Sequence, residues 1–253
     1  MHQKKLNHKV IRLVKLISHC GLCSRRKAEK LINSGKVFLN DKPYKEYIIH
    51  PSLIKKISIE GKKLKIQKTR VWIFHKTVGL LCSNVNQYNK KTIFDTLPSN
   101  LPRVVSVGRL DLNSEGLLIL TTNPSLSSFL ENPKNMINRK YIIKVFGIFN
   151  DEKKKELEKG ITIDGIKYQP LKINRITMRN NDYVFNVDLK EGKNREIRKL
   201  MKYLELSVKK LKRIEYGPFK LLDLKKNDIK ELSESKLNKV FKVINYKDEN
   251  NFW

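Results

Sequence analysis

One acidic residue, Asp111, stands in a short segment between two glycines, in a chain that is otherwise strongly basic. Gly108 precedes it, and Gly116 is followed by the apolar run 117–120. Because glycine permits tight turns, this pattern predicts a loop that is anchored at both ends and holds one fixed carboxylate. The chain has 54 Lys and Arg against 25 Asp and Glu, a formal net charge of +29. Basic surfaces attract phosphate backbones, so the arrangement suits chemistry on a polyanion.

Two other interpretations of this segment compete with catalysis. Aspartate in a glycine-flanked turn commonly caps the turn or pairs with a neighbour such as Arg109. From the residues alone, this structural role and a catalytic role are equally well supported. The spacing of Asp111, Asn113 and Glu115 imitates the start of a calcium loop. The twelfth position of such a loop needs a bidentate glutamate but is Thr122 here, which argues against calcium.

The three cysteines are Cys20, Cys23 and Cys82. A single Cys-x-x-Cys without a second pair is a weak metal signal, and we expect no metal and no cofactor. An odd, sparse count is typical of a reducing compartment. The chain has no run of about 18 apolar residues and no apolar signal core after Met1, so we expect a cytoplasmic protein without membrane contact.

The elements that would position these residues fall into two parts. In the first part, apolar residues at helical spacing predict a helix from Val10 that ends at Gly21, and Ser24 is the predicted N-cap of a second helix that ends at Gly35. Short strands are predicted at 36–39, 56–59 and 64–66. Residues 66–70 are predicted to be a linker between a domain at 1–65 and a domain at 71–247, with a frayed tail at 248–253.

From Val71 onward, strands and helices mix without regular βαβ alternation, which predicts an α+β fold rather than a doubly wound one. Hydrophobic patterns predict strands at 71–74, 117–120, 141–146 and 183–189, and helices at 151–159 and 194–204.

The exposed side of the first part is basic. Arg25, Arg26 and Lys27 fall in the first turn of the second predicted helix, with Lys30 one turn further on. Cations there oppose the helix dipole, but free backbone N–H groups at the same end favour phosphate. We interpret the cluster as an anion site; the alternative is a solvated basic face.

This stretch resembles the S4 RNA-binding domain over roughly residues 8–60. The resemblance rests on Ser24-Arg25-Arg26-x-Ala28-Glu29 and on the strand entry Gly35-Lys36-Val37. It implies a helical hairpin packed on a small sheet, which grips structured RNA.

The rest of the chain resembles the RsuA/RluB branch of the pseudouridine synthases. Four motifs in the family's order carry this resemblance, and a shorter element, Phe74-His75-Lys76-x-x-Gly79, precedes them. The four motifs are Gly108-Arg109-Leu110-Asp111-x-x-Ser114-x-Gly116, Arg139-Lys140-Tyr141, Glu191-Gly192-Lys193-Asn194-Arg195-Glu196-Ile197-Arg198 and Leu211-Lys212-Arg213-Ile214-x-Tyr216-Gly217-Pro218. Thr77 stands where the family usually has Pro, and Asn123-Pro124 replaces the usual Asp-Gly. The implied fold is a catalytic domain built on a central mixed, mostly antiparallel sheet.

The resemblance implies that Asp111 is the catalytic carboxylate, as a nucleophile or as the group that starts glycal formation. It implies that Tyr141 lies flat on the uracil and takes the final proton, and that Arg198 pairs with Asp111. Without the motifs, Tyr141 is typical of a core strand and Arg198 of a basic helix face. Arg109 resembles the arginine that fills the space of a flipped base, with a plain phosphate or turn contact as the alternative. The implied phosphate contacts are Lys76, Lys140, Lys193 and Arg195.

The expected activity is isomerisation of a uridine in ribosomal RNA. The segments around the signature look most like the large-subunit (23S) RluB type. A small-subunit (16S) RsuA-type target is the alternative, followed by a non-catalytic ribosome-assembly factor. The expected partner is ribosomal RNA or a pre-ribosomal particle, and the expected state is a monomer.

Overall fold

The computed structural model of the chain describes residues 10–84 and 89–247. The predicted tail at 248–253 and the first nine residues of the predicted N-terminal domain lie outside the described residues. The α-helices are α1 Leu13–His19, α2 Arg25–Asn33, α3 Pro124–Glu131, α4 Asp151–Lys159, α5 Glu196–Tyr203 and α6 Glu234–Val243. Short 3-10 helices lie at Pro51–Lys56, Phe94–Thr96 and Pro133–Asn135.

The strands of the N-terminal part are β1 Ile11–Arg12, β2 Val37–Leu39, β3 Lys42–Pro43, β4 Ile48–Ile49, β5 Ile57–Ile59 and β6 Lys62–Lys63. Those of the larger part are β7 Val71–Lys76, β8 Val105–Val107, β9 Glu115–Thr121, β10 Arg139–Phe146, β11 Ile161–Ile163, β12 Ile166–Tyr168, β13 Lys172–Arg179, β14 Asp182–Leu189, β15 Ser207–Tyr216, β16 Phe219–Lys220 and β17 Ile229–Glu231.

Helices α1 and α2 form a hairpin with a core shared with the sheet β3-β2-β5-β6. The predicted N-cap forms, because the hydroxyl of Ser24 accepts a hydrogen bond from Lys27 N at 3.3 Å. The predicted strand at 64–66 is wrong. Glu60 and Gly61 both have positive φ and make a two-residue hairpin turn, so β5 pairs with β6 at residues 62–63 instead.

A nine-stranded sheet organises the larger part, in the order β13-β14-β10-β15-β9-β7-β17, with β16 on β15 and β8 on β9. The pairing of β15 with β9 is parallel, and the other pairs described in this sheet are antiparallel. The predicted α+β fold with a mixed, mostly antiparallel sheet is therefore confirmed.

Three buried clusters cover this sheet. Helices α4 and α5 pack on β10 and β14, whose side chains alternate between buried and partly exposed. Helices α3 and α6 pack on one side of β7 and β9, and apolar residues of 80–84 and 89–104 pack on the other. Because alternate residues of a strand point to opposite faces, the period-two pattern of β10 determines which side chains face α5.

Helix α4 has the predicted bounds, whereas α5 begins at Glu196, two residues after the predicted start at 194. The reason is Arg195, whose φ of 50° places it in the left-handed region just before the helix. In the part of the chain that the structure describes, no helix combines the length and apolarity that crossing a bilayer requires.

Candidate active site

Asp111 lies on the loop that joins β8 to β9. Ser114 N donates a hydrogen bond to Asp111 O at 3.0 Å and closes the turn, while the neighbouring Leu110 is buried. Gly116 then enters the sheet beside β15 with a φ of 113°, and a Cβ there would lie 2.2 Å from Arg213 O. Only glycine allows this close approach of the two parallel strands, so the end of the loop is fixed by backbone packing.

Lys76 lies fully buried beneath this loop, at the end of β7. Its ammonium donates hydrogen bonds to Asp111 O at 3.1 Å, to Ser114 O at 2.8 Å and to Thr77 O at 3.0 Å. Burial lowers the pKa of Lys76, although the Cys82 and Asp111 side chains oppose this shift. The phosphate contact expected of Lys76 stays a prediction, and in the structure the buried ammonium already donates to three carbonyls.

Arg198 reaches the loop from the first turn of α5. Its Nε lies 4.0 Å from Asp111 Oδ2, and its Nη2 donates to Asn113 O at 2.8 Å. The Nε is buried and has no hydrogen-bond partner among the described residues, so the contact with Asp111 is electrostatic. Burial, followed by the nearby Arg195, lowers the pKa of Arg198, and Asp111 opposes this effect. The structure thus brings the two predicted residues together at the outer limit of an ion pair.

Tyr141 lies on β10, in the same row of the sheet as Gly116. It pairs across the strands with Arg213 of β15, which pairs in turn with Gly116 of β9. With strands about 4.8 Å apart, the Cα atoms of Tyr141 and Gly116 are roughly 10 Å from each other. The Tyr141 ring packs in the same buried cluster as Leu110. The tyrosine therefore lies beside the loop that carries Asp111.

Arg213 is a residue for which sequence reasoning found no role, although it lies in the last of the four motifs. It is almost fully buried, and its Nε donates to Leu117 O at 2.8 Å. Its guanidinium lies 5.0 Å from the ring centroid of Tyr216, and that of Arg139 lies 4.6 Å from the same ring. These contacts tie β15, β9 and β10 together below the Asp111 loop.

Apart from Lys76, the predicted RNA contacts divide into three groups. The side chains of α2, together with Arg109 and Arg195, are exposed and form no ion pair within the described ranges; those of α2 are Arg25, Arg26, Lys27 and Lys30. Lys140 points to the opposite face of the sheet from Tyr141 and lies 3.7 Å from Glu215. Lys193 contacts the Glu191 carboxylate and the ring of Tyr168. The structure thus leaves α2, Arg109 and Arg195 free to meet an anion.

The structure also shows where the cysteines and the departure from the family pattern at residues 123–124 lie. Cys20 and Cys23 lie in the core between α1 and α2, where burial raises the pKa of Cys20 to about 11. The described residues contain no group of three or more His, Cys, Asp or Glu that could hold a metal ion. Asn123 caps α3 by accepting hydrogen bonds from Ser125 N and Leu126 N, and Pro124 begins that helix. The departure at 123–124 therefore makes a regular helix start.

Comparison with known proteins agrees with this geometry. Residues 70–203 match the family model of RNA pseudouridylate synthase, and residues 11–53 match that of the S4 domain. An uncharacterised RNA pseudouridine synthase of Rickettsia typhi is 41% identical over 240 residues, which cover 94% of this chain and 98% of the relative. The ribosomal large subunit pseudouridine synthase B of Bacillus subtilis is 31% identical over 231 residues, covering 90% and 95%.

A relative of the same name from Buchnera aphidicola (subsp. Acyrthosiphon pisum) is 36% identical over 251 residues, covering 94% of this chain and 98% of the relative. A solved pseudouridylate synthase structure covers 91% of this chain and 99% of its own, with a TM-score of 0.64 at 24% identity, and so shares the fold. Fold and site together define an RNA-modifying enzyme with an S4 domain ahead of its catalytic domain. The chain belongs to the RNA pseudouridylate synthase family.

Proposed function

We propose that this protein converts one uridine of large-subunit ribosomal RNA into pseudouridine. The relatives named ribosomal large subunit pseudouridine synthase B are 31%, 34% and 36% identical and match at least 90% of the chain. The observation that supports the proposal most directly is the contact between Asp111 and Arg198. Asp111 Oδ2 lies 4.0 Å from Arg198 Nε, next to the buried cluster that contains Tyr141. The other arginine–carboxylate ion pair within residues 10–84 and 89–247, Arg70 with Glu231, lies at the exposed surface.

The reaction is an isomerisation, so no atom is gained or lost. The bond between the sugar C1′ and uracil N1 breaks, the uracil rotates, and a bond forms between C1′ and C5. The C5 proton leaves, and N1 gains one. Asp111 is the group that acts at the sugar, because its side chain remains about one third exposed on a loop whose backbone is fixed from below by Lys76.

Arg198 orients the Asp111 carboxylate. Its Nε lies 4.0 Å from Asp111 Oδ2, and the guanidinium is itself held by Asn113 O. Tyr141 supplies the surface under the uracil and accepts the C5 proton. Stacking of a base on an aromatic side chain contributes about 1–3 kcal/mol.

RNA is held by the exposed cations of α2 and by Arg109 and Arg195. A uridine in a helix or a stacked loop must leave its stack to reach Asp111, and contacts with the RNA backbone offset the cost. We assign residues 1–65 to the S4 domain, 66–70 to the linker and 71–247 to the catalytic domain. We further propose that the protein acts in the cytoplasm as a monomer, on ribosomal RNA or on a pre-ribosomal particle.

The test is pseudouridine mapping. Purified wild-type protein and Asp111→Asn are incubated with large-subunit rRNA fragments and with immature particles, and pseudouridine is located by mass spectrometry. We expect one modified uridine with the wild type and a rate at least about a thousandfold lower with Asp111→Asn, while RNA affinity stays within about threefold. Small-subunit rRNA serves as the control substrate.

Three results would contradict the proposal. Modification of small-subunit rRNA alone would replace the large-subunit target. Normal product with Asp111→Asn would overturn the role of Asp111. The absence of product from every rRNA and particle, with RNA binding retained, would favour a non-catalytic factor.

A further inference from the structure

Two glutamates are buried side by side at the start of α5, and Lys193 binds both of them. Glu191 is 8% exposed and Glu196 is 5% exposed; Lys193 N donates to Glu196 Oε2 at 2.8 Å, and the Lys193 ammonium contacts Glu191 Oε2. Two carboxylates in contact repel each other strongly when both are ionised, so such a pair keeps one proton. The proposed mechanism uses neither residue.

The surrounding contacts show which member is ionised. Glu191 Oε1 accepts a hydrogen bond from Gln169 N at 2.8 Å, and its Oε2 contacts the Lys193 ammonium. Glu196 accepts one hydrogen bond, from Lys193 N at 2.8 Å. Glu191 therefore has the hydrogen-bond donors that an ionised carboxylate needs. Glu196 is the protonated member, and its O–H donates a hydrogen bond to Glu191.

The electrostatics agree with this assignment. Burial, and then the hydrogen bond with Glu191, raise the pKa of Glu196 to about 7. Burial acts in the same direction on Glu191, but the hydrogen bonds from Gln169 N and from the Lys193 ammonium leave its pKa lowered.

Other charged groups face this pair from each neighbouring element. Lys193 lies over the Tyr168 ring of β12, with its ammonium 5.5 Å from the ring centroid. From β10, the Arg139 guanidinium approaches Gly192, where a Cβ would lie 3.6 Å from its Cζ. Arg195 and Arg198 are the cations of the helix start itself.

The pair closes the turn that leads to Arg198. Glu191 stands at the beginning of the turn and Glu196 at its end, and between them Arg195 adopts a left-handed φ of 50°. The left-handed region is unfavourable for arginine, so the turn needs contacts that hold it closed. Arg198 follows in the first helical turn and contacts the Asp111 loop.

We propose that Glu196 is a positioning residue: its protonated carboxyl group closes the pair with Glu191 and so holds Arg198 against Asp111. The inference rests on the proposed function. When Glu196 loses its proton, two carboxylates face each other, the turn loosens, and Arg198 withdraws from the catalytic loop. The catalytic step then slows on the alkaline side while RNA contacts on α2 stay unchanged.

The experiment compares pH profiles of wild type, Glu196→Gln and Glu196→Ala. Glutamine keeps an acceptor for Lys193 N and a donor for Glu191 at every pH, whereas alanine keeps neither. Between about pH 6 and about pH 9 we expect kcat of the wild type to fall roughly fivefold or more with KM nearly constant, and kcat of Glu196→Gln to stay within about twofold. Glu196→Ala has a kcat at least about tenfold below wild type throughout.

Glu205→Gln is the matched control, since it removes one exposed carboxylate just beyond the same helix. It retains the wild-type pH profile. An alkaline fall of kcat in Glu196→Gln equal to that of the wild type would overturn the inference. So would a normal kcat in Glu196→Ala.

A second measurement does not depend on activity. Because the pKa of Glu196 is raised in the folded protein, the folded state binds more protons than the unfolded state between pH of about 4.5 and about 7. The free energy of unfolding of the wild type therefore falls relative to that of Glu196→Gln as pH rises through this window. If the difference in melting temperature between the two proteins does not change with pH, the pair shares no proton and the inference is wrong. A missing pseudouridine product with this pH-dependent difference intact would contradict only the proposed function.

Discussion

Arg198 approaches Asp111 without a direct hydrogen bond: its Nε lies 4.0 Å from Asp111 Oδ2, while its Nη2 donates to Asn113 O at 2.8 Å. The arginine thus holds the backbone of the Asp111 loop and places its charge beside the carboxylate. The loop is gripped from the other side by Lys76, which donates to Asp111 O and Ser114 O. Two cations from distant parts of the chain therefore fix one aspartate.

Replacement of Arg198 by Ala should slow the chemical step. The variant loses the cation beside Asp111 and the hydrogen bond to Asn113 O. Hydrogen bonds that involve a charged group contribute about 1.5–3 kcal/mol, which corresponds to a roughly 10- to 150-fold fall in kcat. KM for RNA should change by less than about threefold, since the side chain is mostly covered.

Lys199→Ala is the control for Arg198→Ala, because Lys199 is the next residue of α5 and is exposed. It should keep the wild-type kcat in the same single-turnover assay of pseudouridine formation. A normal kcat for Arg198→Ala, or a change confined to KM, would mean that Arg198 binds RNA and does not orient Asp111.

Replacement of Lys76 by Met should destabilise the protein and its catalytic loop. Three carbonyl oxygens lose their donor, and each unsatisfied buried group costs about 1–3 kcal/mol. We expect a loss of roughly 2–4 kcal/mol in the free energy of unfolding, measured by urea titration, and a lower kcat. Exposed Lys134→Met, the control, should change stability by less than about 0.5 kcal/mol.

The salt dependence of RNA binding separates this role of Lys76 from a phosphate contact. Removal of one phosphate contact reduces the slope of log affinity against log salt by about 0.7–0.9. The slope should be the same for folded Lys76→Met and for wild type. A smaller slope in the variant would restore Lys76 as an RNA contact.

The double replacement Arg25→Gln, Arg26→Gln should weaken RNA binding without changing the chemical step. Both side chains are exposed at the start of α2, far along the chain from Asp111. Because the variant has two fewer cations to neutralise phosphates, the salt slope should fall by about 1.4–1.8. Filter binding at several salt concentrations measures this slope, and kcat at saturating RNA should remain normal.

Lys140→Gln is the informative comparison for this double variant. Lys140 pairs with Glu215 on the sheet face opposite Tyr141, so its replacement should leave the slope unchanged. If Lys140→Gln lowers the slope and the α2 variant does not, the RNA runs over the other face of the sheet.

Much of this protein could be predicted from local sequence. Helices α1 and α2 follow from apolar spacing and from the residues at their ends, such as Ser24 and Gly21, because helical contacts join residues three or four apart. Helix α1 begins at Leu13 and not at the predicted Val10, because Ile11–Arg12 pairs with Ile48–Ile49 as a strand. The position of Asp111 in a glycine-bounded loop was also visible. Its role required the order of the motifs, since turn capping by the same aspartate was an equal alternative. Period-two alternation from Tyr141 could have placed Lys140 on the opposite face of the sheet.

Other features depend on pairings between distant segments. Strand β15, whose lysines interrupt any simple alternation, was not predicted; it exists because it pairs with β10 and, in parallel, with β9. A lysine in sequence is expected at the surface, yet Lys76 is fully buried because the Asp111 loop folds over it and supplies three carbonyls. The buried contact of Glu191 with Glu196 likewise needs the turn that Arg195 makes.

Residue types at short, fixed spacings were enough to indicate the family, four of the six described α-helices and the identity of the acidic residue. The motifs implied that Arg198 faces that residue, but the burial of Lys76 and Arg213 below its loop became clear only from the folded arrangement. Lys76, Arg198 and Arg213 all lie in basic motifs, and nothing local distinguishes a lysine that contacts RNA from one that supports the loop. The difference arises from burial, and burial is determined by strand pairings that join residues far apart in the chain.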